Sequence, residues 1–161
     1  MNYSFLALLV ACTLFALWAG GAPERVGAVI YAVSVAATFL IVPKPNQQTW
    51  LNLEVGAFII DAVLFVAFIF LALRANRFWP LWVTALLGIG VLGHVAKLMV
   101  PDTFWRAYAF VLAFWSYPIL ALIALGAFLH RRRVKLHGAD RSWVNSSGPS
   151  TPTPPAAPTA S

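Results

Sequence analysis

The chain has 161 residues, 61% of them hydrophobic and only 10% charged, with a net charge of +6. No water-soluble domain of this length can hide so much apolar surface, which excludes a soluble enzyme or a free nucleic-acid-binding domain. The single cysteine, Cys12, excludes an internal disulfide.

Five stretches of roughly 17 to 22 residues with almost no charge fill the first 130 positions. Each is long enough to cross a hydrocarbon core of roughly 30 Å at 1.5 Å of rise per residue. The first predicted span covers about 3–19 and stops at Gly20-Gly21-Ala22-Pro23. Leu9-Val10-Ala11-Cys12 has the form of a lipobox and Gly20-Gly21-Ala22 that of a signal-peptidase site. No lysine or arginine precedes the apolar run, and cleavage would move the later basic cluster to the wrong side. The uncleaved reading is therefore preferred.

The second span, about 23–42, begins on Pro23, whose fixed φ suits a first helical turn, and ends before Pro43. The third covers about 50–73, the fourth 80–100 and the fifth 103–130, each bounded by a glycine, a proline or a charge. Turns this short make consecutive helices antiparallel neighbours. The expected fold is all-α, a single bundle of five transmembrane helices over residues 1–137.

The third and fourth spans carry ionisable side chains: Asp61, His94 and Lys97, with Glu54 at the outer end of the third. Helical rise places Asp61 about 10 Å below Glu54, and His94 about 10 Å below Pro101 on the antiparallel neighbour, so the two share a depth. At 100° per residue, Glu54, Ala57 and Asp61 share one face, as do Gly90, Gly93, His94 and Lys97. Small residues beside polar ones allow close helix approach. Asp61 is thus expected to reach His94 or Lys97, either as a latch fixing helix register or as a proton relay. Gly88-Ile89-Gly90-Val91-Leu92-Gly93 matches a dinucleotide-binding pattern, but without a preceding strand it reads as a helix-packing surface.

In the fifth span, Trp115-Ser116-Tyr117-Pro118 falls near mid-membrane. Pro118 removes a backbone hydrogen bond, and Trp115 and Tyr117 have polar tips that want partners. These four residues form the expected wall of a pocket or a bent packing surface. The three histidines show no metal-ligand spacing, so no metal and no cofactor is expected. A single axial bond from His94 to a haem or pigment is the nearest approach to one. No nucleophile-and-base set is present, which argues against an enzyme.

Residues 138–161 turn to Ser, Thr, Pro and Ala and are expected to form a disordered cytoplasmic tail. The positive-inside rule orients the bundle. With the C-terminus inside, Arg25, Arg74, Arg77, Arg131, Arg132, Arg133, Lys135 and Arg141 are cytoplasmic, against Lys44 and Arg106 outside. Arg131, Arg132, Arg133 and Lys135 are expected to meet anionic lipid headgroups, which accounts for the basic charge without nucleic acid. Trp18, Trp79 and Trp82 would form the inner aromatic belt.

This reads as a small multi-pass protein of a bacterial inner membrane, N-terminus outside and C-terminus cytoplasmic. Its partners would be the bilayer and another membrane protein or a second copy of itself. The favoured role is an accessory or interaction subunit whose Asp61, His94, Lys97 and Glu54 cluster is structural. The runner-up is a proton-coupled transporter or small-solute permease, and a membrane enzyme or single-histidine pigment binder comes third.

Overall fold

The computed structural model describes residues 3–41, 50–99, 105–137 and Trp143, and only the backbone of residues 50–54, 98 and 105–113. The described residues form five helices: α1 Tyr3–Ala19, α2 Ala22–Ile41, α3 Trp50–Arg74, α4 Trp79–Met99 and α5 Trp105–His137. Stretches of α2, α3, α4 and α5 are each long and apolar enough to cross a membrane, while α1 is apolar but shorter at 17 residues. Large apolar side chains such as Leu14, Val33, Val63, Leu92 and Leu125 face outward on every helix. A soluble protein would bury them; a bundle solvated by lipid leaves them there.

The boundaries follow local chemistry. Gly20 donates its N–H to Ala16 O at 2.9 Å, and the Arg25 guanidinium caps the Gly20 carbonyl at 3.0 Å. Pro23 sits in the first turn of α2, where its missing N–H costs nothing. The fifth helix was expected to stop at His130, but α5 continues to His137. Charge alone does not break a helix, and the basic run suits the negative end of the helix dipole.

Consecutive helices pack side by side, and α5 returns to pack on α1, so the five form a closed ring; α2 and α5 also touch across it. Arg74, the α3–α4 turn, Gly21, Glu24 and His130 lie together, and this is called the basic end. Between it and the middle of the bundle sits an apolar plug of Phe68, Val83, Leu120 and Ile123, all essentially fully buried. Trp143, within the segment expected to be solvated, pairs its backbone with Ala75 of the α3–α4 turn.

Candidate functional site

Above the plug the ring opens into a chamber of about 500 Å³, walled by residues from all five helices. On one side Asp61 of α3 and His94 of α4 meet, with His94 Nε2 3.0 Å from Asp61 Oδ2. The sequence argument left His94 and Lys97 as alternatives for Asp61; the contact formed is with His94. Ala57, one turn before Asp61, and Gly90, one turn before His94, also line the space, and their small size leaves room beside the polar pair. The His94 side chain keeps only 7% of its surface exposed, whereas Asp61 keeps 31%. The Phe58 ring, tilted 60° at 6.0 Å, packs on the imidazole. Asp61 thus turns its free surface to the chamber while His94 supports it from behind.

The opposite wall is Trp115, Ser116 and Tyr117 of α5; Pro118 is part of the same turn but does not line the space. Phe5 of α1 meets Tyr117 edge-on, with centroids 5.6 Å apart and planes at 77°. The third side, from α2, escaped the sequence reading. Tyr31, Ser34 and Thr38 fall at intervals of three and four on the stretch of α2 beyond Arg25, which is otherwise apolar, a stripe that could have been found from spacing alone. Tyr31 Oη donates to Ser116 O at 3.4 Å and so ties the two polar walls together. Lys97 is half-buried and does not line the chamber, and the Glu54 side chain lies outside the described residues.

No protein-family model, no curated protein and no solved structure matches this chain. The site therefore has to be read from its own chemistry. Among the described residues, no group of three or more His, Cys, Asp or Glu side chains converges as a metal would need.

A second polar cluster, at the basic end, corrects one expectation. Trp79, expected in the aromatic belt, is buried, and so is Arg77, which the charge rule assigns only to the cytoplasmic side. They bind Glu24, which is fully buried: Arg77 Nε donates to Glu24 Oε1 at 3.3 Å and Trp79 Nε1 to the same oxygen at 3.0 Å. Arg77 Nη2 reaches His130 Nδ1 at 3.4 Å, joining α5 to the cluster. Gly21 makes this approach feasible, because a Cβ there would lie 3.0 Å from Glu24 Oε2 and 2.9 Å from His130 Cε1. Of the basic run on α5, Arg131 stacks on the Trp18 ring at 4.0 Å, Arg133 is half-buried, and Arg132 and Lys135 are exposed. Trp18 and Trp82 are exposed.

Proposed function

We propose that this is a small multi-pass protein of a bacterial inner membrane, C-terminus cytoplasmic, that holds one small amphipathic molecule in its central chamber. The observation that carries this is the chamber itself, which has the volume range and the mixed lining of ligand sites. Its walls are apolar and aromatic, with a few polar groups converging at Asp61 and His94. A chamber of this size left empty would forgo the packing contacts that its lining residues need.

Native mass spectrometry of the protein in mild detergent tests the reading. The expected spectrum shows a bound small molecule that is absent from Ala57→Phe, which fills the chamber next to Asp61 without altering its charge. Identical spectra for both proteins, showing annular lipid only, would leave the accessory-subunit reading in its place. In that reading the Asp61–His94 contact is a latch between α3 and α4, worth about 1–2 kcal/mol or less.

Proton-coupled transport ranks lower. About 20 Å of helical rise separates Asp61 from Arg74 at the basic end. A proton making that crossing would meet Phe68, Val83, Leu120 and Ile123, none of which can carry it.

A further inference from the structure

Resting on the chamber as a binding site, we infer that its ligand class is a lipophilic ammonium: a protonated amine on a compact apolar or aromatic body, with its N–H groups directed at Asp61.

The charge inventory of the lining comes first. Among the described residues Asp61 is its only carboxylate and His94 its only side chain able to carry positive charge; no lysine or arginine faces the space. One carboxylate oxygen, Oδ2, is occupied by His94, and the 31% of the side chain that remains exposed faces the chamber. An anionic ligand would place like charges together in surroundings where water screens them poorly. With His94 donating to Asp61 as a neutral ring, a cationic ligand would supply the counter-charge that a carboxylate needs at this depth.

Hydrogen-bond direction makes the same selection independently. Ser34 Oγ donates its proton to Tyr31 O at 2.8 Å, Thr38 Oγ1 to Ser34 O at 2.9 Å and Tyr31 Oη to Ser116 O at 3.4 Å. These three hydroxyls have committed their hydrogens to the backbone, so what they offer the chamber is lone pairs. The Trp115 indole nitrogen is a donor, but it is buried away from the open space. On the α2 side an acceptor-only ligand, such as a quinone or a carboxylate, would find no free hydroxyl hydrogen, and the Ser116 and Tyr117 hydroxyls and the His94 ring are the remaining donors in the lining. A ligand with several N–H donors would find a carboxylate and hydroxyl oxygens.

The aromatic side chains complete the match. Phe5, Phe39, Trp115 and Tyr117 supply apolar area and negative ring faces, which attract an ammonium and accept its apolar body alike.

The test compares three compounds that share one ring system: naphthylmethylammonium, naphthylmethanol and naphthoate. Binding of each to the full chain in neutral-lipid nanodiscs is followed by calorimetry, with empty nanodiscs subtracted. The ammonium is expected to bind about tenfold or more tighter than the alcohol, the worth of one charge-assisted hydrogen bond, and the carboxylate not at all. Asp61→Asn should bring the ammonium down to the affinity of the alcohol. Unchanged alcohol binding by that variant certifies its fold. An alcohol or carboxylate that binds wild type as tightly as the ammonium overturns the ligand class and leaves the chamber reading standing. If none of the three binds while a molecule still co-purifies, the ligand class also falls. If none binds and nothing co-purifies, both readings fall.

Discussion

Two carboxylates in this chain meet opposite fates. Glu24 is sealed under Arg77 and Trp79, whereas Asp61 keeps a third of its side chain open, at 31%. Removing one partner of a buried ion pair strands the other charge and costs about 3–5 kcal/mol, while interhelical hydrogen bonds in membranes average well under 2 kcal/mol. Glu24→Gln should therefore lower the midpoint of unfolding in detergent far more than Asp61→Asn does. The reverse order would mean that the weight of the fold rests on the chamber wall. Asp61 and His94 were readable because ionisable side chains are few in these apolar runs, where depth and helical face can be calculated. Glu24 was not, since beside Gly-Gly-Ala-Pro it looks like an ordinary acid at the positive end of a helix. Only the fold of the α3–α4 turn brings Arg77 to it across 53 positions.

At the level of helices, the packing hinges on Trp79 at the start of α4. Its indole lies in a slot between two glycines: a Cβ on Gly27 of α2 would come within 2.5 Å of Trp79 Cη2, and one on Gly126 of α5 within 2.7 Å of Cδ1. The ring also meets Phe68 edge-on at 6.3 Å. Because the indole is buried and hydrogen-bonded it has nowhere to swing, so Gly126→Ala should cost about 1–3 kcal/mol through overpacking. In a Trp79→Phe background the smaller ring leaves space, and most of that cost should vanish in a double-mutant cycle of thermal unfolding. Full additivity would show that Gly126 acts elsewhere. The sequence placed this tryptophan in a membrane-interface belt because it borders Pro80 at a span end; Trp18 and Trp82, placed there by the same rule, are exposed. The deciding fact lies on two other helices, whose glycines open the slot at the right level, and no local pattern carries that information.

For the molecule as a whole, helix number and, apart from the C-terminal end of α5, boundaries followed from apolar length, and neighbouring helices from short turns. The return of α5 onto α1 was not readable, because no turn joins them. The proposed orientation rests on the charge rule, which assigns eight basic residues to the cytoplasmic side and only Lys44 and Arg106 to the other. Alkaline phosphatase fused after His137 should be inactive and a fluorescent protein there bright; an active phosphatase would invert the bundle and put the chamber on the cytoplasmic side. The closed ring also gives assembly a direction in time. A nascent chain that has released only α1 to α4 holds Trp79 without the Gly126 side of its slot, Arg77 without His130, and a chamber lacking the Trp115–Tyr117 wall. Each unfinished surface is completed by the helix synthesised last. Until α5 inserts, the protein is a four-helix crescent with an open seam, and its pocket comes into being in the same step that seals the ring.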